Sequence, residues 1–142
     1  MQNRKAINWQ AWLLLVICLG QALYIYISSP SRPEPSKIVS VNKVGEGGAI
    51  YEVLYDSGGA TVPFIYRYFL MEVQPSDEEA LNKTRKATPF LVTQSTHAVR
   101  EVVGIKVKLN SDETIYDFHN TAYFKVDGEL NIVKFDLEAT IP

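Results

Sequence analysis

Hydrophobic residues run almost unbroken from Ile7 to Ile27, whereas beyond Lys37 they alternate with polar ones. The first pattern predicts a membrane anchor and the second a β-rich domain. The 21 residues of the apolar run, at about 1.5 Å each, make a helix of roughly 30 Å, one hydrocarbon core. The run carries no charge, and its polar members are Asn8, Gln10 and Gln21. Trp9 and Trp12 lie at one end and Tyr24 and Tyr26 at the other; such rings favour the two membrane–water interfaces. Arg4 and Lys5 precede the span and only Arg32 follows closely. The positive-inside bias therefore predicts a cytoplasmic N-terminus, with the remaining chain across the membrane. Gly20 and Ala22 have the spacing of a signal-peptide cleavage site, but Leu23 to Ile27 stays apolar past it, which favours an uncleaved anchor. Cys18 follows Ile17, where lipoprotein processing needs a small side chain, and the charge-free length argues against a buried core helix. Ser28 to Ser36 holds three prolines and predicts an extended spacer of about 28 Å at roughly 3.1 Å per residue.

In the domain, Ile38–Val44 and Ala49–Tyr55 alternate and predict strands joined by a turn at Gly45, Gly47 and Gly48. A second turn falls at Asp56-Ser57-Gly58-Gly59. Val62–Val73 is apolar on both faces: Phe64, Tyr66, Tyr68 and Leu70 on one, Ile65, Phe69 and Met71 on the other. That is the pattern of a central strand covered on both sides. Ser76–Lys86 predicts a helix opened by a Ser76/Glu79 capping box, with acids in its first turn, bases in its last and Thr88-Pro89 after it. Its apolar face, mainly Ala80, Leu81 and Thr84, is thin, which places it at the edge of the fold. Phe90–Thr93 is a short apolar piece. His97–Leu109 reads as one long strand with a bulge at Gly104, and Asn110–Glu113 turns into a strand over Thr114–Val126. Asp127-Gly128 predicts a two-residue hairpin that sets Val126 opposite Glu129 and Phe124 opposite Asn131. This register puts Phe118, Ala122, Phe124, Val133, Phe135 and Leu137 on a core face, and Asp117, His119, Thr121, Tyr123, Lys125 and Lys134 on the other. The predicted class is α+β: an N-terminal transmembrane helix (1–27), a spacer (28–36) and a small, mostly antiparallel β-sheet domain with one peripheral helix (37–142).

Charge and chemistry narrow the function. The domain has eleven Lys and Arg against fifteen Asp and Glu, a net of −4, while residues 1–36 carry +2. An acidic domain without a basic stripe argues against nucleic acid. The single cysteine lies in the apolar run, so the domain has neither disulfide nor thiol nucleophile. A Ser-His-Asp site would draw on His97 or His119, on Asp117 and on Ser57 or Ser95, but no nucleophile elbow is present. Two separated histidines without a cysteine partner do not make a zinc site, and Gly45-Glu46-Gly47-Gly48 lacks the lysine of a phosphate loop. The expectation is therefore no enzyme, no cofactor and no metal. Tyr66-Arg67-Tyr68 sets a lone guanidinium in an apolar strand, and both residue types are enriched in binding hot spots; pairing of Arg67 with Glu52 is the structural alternative. Asp56, Asp112, Glu113, Asp127 and Glu129 all fall in predicted turns, free to meet a partner with a basic contact surface.

The run Asp56-Ser57-Gly58-Gly59-Ala60-Thr61-Val62-Pro63-Phe64-Ile65-Tyr66-Arg67-Tyr68, with the anchor-plus-small-domain layout, resembles small envelope proteins of Gram-negative bacteria, some encoded beside secreted toxins as immunity proteins. The resemblance implies a single-pass inner-membrane protein whose periplasmic domain binds and neutralises a toxin. It carries over no functional residues. The competing expectation is a structural accessory subunit of a cell-envelope complex, its helix packing through Gly20, Gln21 and Ala22.

Overall fold

A computed structural model describes residues 4–28, 33–56, 58 and 62–140. The chain falls into two compact units, Met1–Arg32 and Pro33–Pro142. In the first, α1 (Arg4–Ser28) is one helix, and its segment Asn8–Ser28 is long and apolar enough to cross a membrane. Of the predicted spacer, residues 29–32 lie outside the described residues, and the first strand takes up its last two residues.

The second unit contains nine strands and one helix among its described residues. In chain order they are β1 (Pro35–Val44), β2 (Gly48–Tyr55), β3 (Ile65–Glu72), α2 (Asp77–Thr84), β4 (Leu91–Thr93), β5 (Val99–Val103), β6 (Lys106–Ser111), β7 (Ile115–Phe118), β8 (Thr121–Val126) and β9 (Glu129–Ala139). They form two mostly antiparallel sheets, as the α+β class requires: a first sheet ordered β1-β2-β3-β4-β7 and a second ordered β5-β6-β9-β8. Every pairing is antiparallel except β6 with β9.

The main core fills the space between the sheets. Ile50, Tyr68, Leu70 and Leu91 meet Val107, Leu109, Phe124, Val133 and Phe135 there. Phe90 stacks on Phe135 with ring centroids 3.9 Å apart. The opposite face of the first sheet carries a smaller cluster of Tyr51, Val53, Tyr55, Phe69 and Met71, covered by Ala80 and Leu81 of α2. β3 is thus central and covered on both faces, as its two-sided apolar pattern requires. Phe64 falls just outside the strand and is exposed.

Local signals fixed several elements. Ser76 caps α2, its hydroxyl accepting a hydrogen bond from the Glu79 N–H at 3.3 Å. Ser76→Ala is expected to cost about 1 kcal/mol in denaturant unfolding of the full chain in detergent. The β8–β9 hairpin has the register read from its turn, Val126 opposite Glu129 and Phe124 opposite Asn131. Asp127 and Gly128 both adopt positive φ, 50° and 83°. At the β1–β2 turn the second sheet presses against backbone: a methyl at Gly48 would lie 2.7 Å from Cε1 and Cε2 of Phe124. Only glycine leaves that ring its place.

Two long strands divide. His97–Leu109 is the β5–β6 hairpin, and Gly104 (φ +60°) is in its turn, not a bulge. Thr114–Val126 breaks at His119-Asn120, where the chain leaves the first sheet as β7 and enters the second as β8. The core face predicted for this stretch holds: Phe124, Val133 and Phe135 are buried, and Phe118, Ala122 and Leu137 pack against them.

Candidate functional site

Tyr66, Arg67 and Tyr68 alternate across β3 and do not form one surface. Tyr68 is fully buried between the sheets. Its hydroxyl donates to the Ser95 carbonyl (2.9 Å) and accepts from the Ala98 N–H (3.0 Å). Tyr66 is half-buried against the same cluster. Burial, with the nearby Glu52 carboxylate adding to it, holds the Tyr68 phenol well above its ordinary range. The native phenol therefore stays protonated where the unfolded one ionises. Stability from this source is complete below about pH 10 and falls as pH rises further. Above that pH the parent is expected to lose about 1.4 kcal/mol per pH unit relative to Tyr68→Phe, read by alkaline unfolding of both.

Arg67 points to the other side. Its register partners are Val53 and Val92, whereas Glu52 stands opposite Tyr68, so the expected Arg67–Glu52 pair is not formed. The guanidinium carbon sits 4.2 Å from the centroid of the Tyr55 ring. Nε is buried without an acceptor, and no ion pair involves Arg67 among the described residues. Exposed Val62 and Phe64 lie just before the same strand, and Asp56 follows Tyr55 and takes the Gly58 N–H at 2.8 Å.

Glu52, which pattern reading passed over as a functional residue, is the most deeply placed charge. It is 0 % exposed and accepts from Ser40 Oγ (2.6 Å), Thr96 Oγ1 (2.7 Å) and the His97 N–H (2.9 Å). With Tyr68 it fixes the corner at Ser95–Ala98, where the chain passes from β4 to β5 and between sheets. His97 holds φ at 54° there, a conformation that costs a non-glycine residue about 1 kcal/mol or more. Thr96 gives its hydroxyl proton to Glu52, so the His97 Nδ1 lying 2.9 Å from Thr96 Oγ1 is the donor of that pair. The available signal was that Glu52 shares a strand face with Ile50 and Leu54.

The five turn acids are not brought together. Asp56 lies at the β2–β3 end of the first sheet. Asp112 accepts from Ser95 Oγ (3.0 Å) just beyond β4, and Glu113 follows it, so these three share one end. Asp127 and Glu129 occupy the opposite end, where Val126 contacts the Gly47 turn. Seven residue steps of β2 separate the ends, roughly 23 Å, so no single compact contact uses all five.

The histidines also lie apart, at opposite ends of β4. His119 is 3.4 Å from Asp117, and its N–H donates to Phe90 O at 2.7 Å. Ser95 is spent on Asp112 and the Asp112 and Glu113 N–H groups, while Ser57 lies outside the described residues. No group of three or more His, Cys, Asp or Glu within metal-binding reach occurs among the described residues. His119 does border a cleft of about 500 Å³ between the α2–β4 connection and β8, with Leu70, Phe90 and Ala122 in its lining. Comparison with protein-family models, curated proteins and solved structures finds no match for this chain.

Proposed function

We propose that this is a single-pass inner-membrane protein whose periplasmic domain binds and neutralises a secreted antibacterial toxin. The observation that carries the reading is the β2–β3 end of the first sheet. There an Arg67 guanidinium, without a carboxylate partner among the described residues, lies on Tyr55, and exposed Val62 and Phe64 lead into the same strand. Aromatic and arginine anchors beside exposed apolar area are the composition of a protein-binding hot spot. Asp56, Asp112 and Glu113 give the same end an acidic rim suited to a basic toxin surface.

Full-length chain in a periplasm-facing orientation is expected to protect cells against an attacker that delivers the toxin. Protection survives exchange of the anchor for an unrelated one. It falls with Arg67→Ala or Phe64→Ser, each by the loss of about 1–2 kcal/mol of binding, and survives His119→Ala. Protection that requires the native Asn8–Ser28 helix would assign the chain to an accessory role in an envelope complex. An inactive alkaline phosphatase fusion after Pro142 would overturn the orientation.

A further inference from the structure

Two sheets have four edge strands, and three of these are blunted. β1 carries Pro35 and two register shifts. β5 has a shift between Val99 and Glu101. β7 is four residues long and shifts against Val92 and Thr93. Prolines, bulges and short length are devices that stop a sheet from adding a strand. β8 has none of them: it keeps an unbroken register with β9 from Thr121 to Val126.

The register shows which β8 groups are free. Phe135 N donates to Asn120 O at 2.8 Å, while Lys134 N turns the other way, to Ile105 O at 3.0 Å. With Ala122 opposite Val133, the N–H and C=O groups of Ala122, Phe124 and Val126 point to β9. Those of Thr121, Tyr123 and Lys125 point outward. The cleft takes in Thr121, Ala122 and Tyr123 consecutively, so it runs along this edge. A strand added here would send alternate side chains between the sheets, towards Leu70 and Phe90.

Its other side chains would join the outer face of the second sheet. Cross-strand rows there read Lys125–Leu130, Tyr123–Ile132 and Thr121–Lys134–Lys106. Tyr123, Leu130 and Ile132 are each about half exposed or more. These rows hold three lysines and no acid; Asp127 and Glu129 sit beyond them at the hairpin tip. The next row holds Asp136 and Lys108, the latter paired with Glu101 at 2.9 Å.

We infer that β8 accepts an added strand, an extended segment of a partner polypeptide that alternates apolar with acidic side chains. The apolar set enters the cleft, and the acidic set lies beside Lys125 and within side-chain reach of Lys134, one strand further in behind Thr121. A second copy of β8 suits the edge less well. Antiparallel self-pairing about Tyr123 would bring Lys125 into the row that holds Lys134 of the other copy, a juxtaposition of like charge. This contact goes beyond the toxin-neutralising reading, because it uses the second sheet and needs neither Arg67 nor Phe64.

The test uses isotope-labelled full-length chain in detergent micelles and a short peptide alternating glutamate and valine about a central phenylalanine. Saturable shifts and slowed hydrogen exchange are expected at the Thr121, Tyr123 and Lys125 amides. A counterpart with lysine in place of glutamate should bind about tenfold more weakly. Tyr123→Pro removes one outward N–H, leaves the ladder to β9 intact, and should abolish binding. Lys125→Glu combined with Lys134→Glu should reverse the peptide preference, a readout independent of whether the proline variant folds. Absence of binding by the acidic peptide, equal binding of both peptides, protection at β5 or β7, or retained binding in folded Tyr123→Pro would each overturn the inference. So would a dimer of the free chain that Tyr123→Pro dissociates, since the occupant would then be a second copy. Toxin protection is scored separately and stands or falls without this result.

Discussion

Glu52→Leu is expected to lower the unfolding free energy by about 3–5 kcal/mol, the largest effect of any single substitution considered. The carboxylate has no solvent exposure and accepts three hydrogen bonds, from Ser40, Thr96 and the His97 N–H. Leucine fills a similar volume but leaves those donors without their acceptor. Two of them hold a corner that already contains a positive φ at His97, so the loss falls where the backbone is least able to find another arrangement. Glu52→Gln keeps an acceptor oxygen and should cost less, about 1–2 kcal/mol. A domain of this size has about 5–15 kcal/mol in total, so the leucine variant should show a clearly lower denaturant midpoint. A loss below about 1 kcal/mol for Glu52→Leu would mean that the three donors find other partners.

Gly48→Ala is the second large effect, expected at about 2–3 kcal/mol. The new methyl would fall 2.7 Å from two ring carbons of Phe124, and Phe124 is buried against Val44 and Ile50 with little room to retreat. The diagnostic experiment is a double-mutant cycle. In a Phe124→Leu background the same alanine should cost much less, giving a coupling of about 1 kcal/mol or more. Additive losses would place the glycine requirement in the backbone rather than in the ring contact.

Features set by neighbours in sequence were legible before the structure. The Ser76 cap, the Asp127-Gly128 turn and the two-sided burial of β3 depend on a few adjacent residues, and all three are found. The division of Thr114–Val126 was not legible. His119-Asn120 contains neither glycine nor proline, and Phe118, Ala122 and Phe124 keep one parity on either side of the break, because both β7 and β8 face the same core from different sheets. The turn at Gly104 is hidden in a similar way, because apolar residues continue on both sides of it. Residues adjacent in a strand do not share a surface. Tyr68 and Arg67 are neighbours in sequence, yet one lies between the sheets and the other on the opposite face. The sequence suggests Glu52 only as a partner for Arg67, because its actual partners come from positions 40, 96 and 97, which only the tertiary fold assembles.

The place of β9 has a consequence for the order of events in folding. It is the last strand of the described chain, yet it lies inside its sheet, between β6 and β8. Until Val133 and Phe135 arrive, Phe90 lacks its stacking partner and the inner face of β6 has no neighbour on one side. The β6–β9 pairing is also parallel and joins segments far apart in sequence, the kind of closure that is slow to form. A chain emerging N-terminus first can build the β1–β2–β3 meander early, but it cannot close the second sheet until β9 has appeared. The second sheet therefore closes after the first, and until β9 arrives the inner face of the β1–β2–β3 meander has only part of its cover.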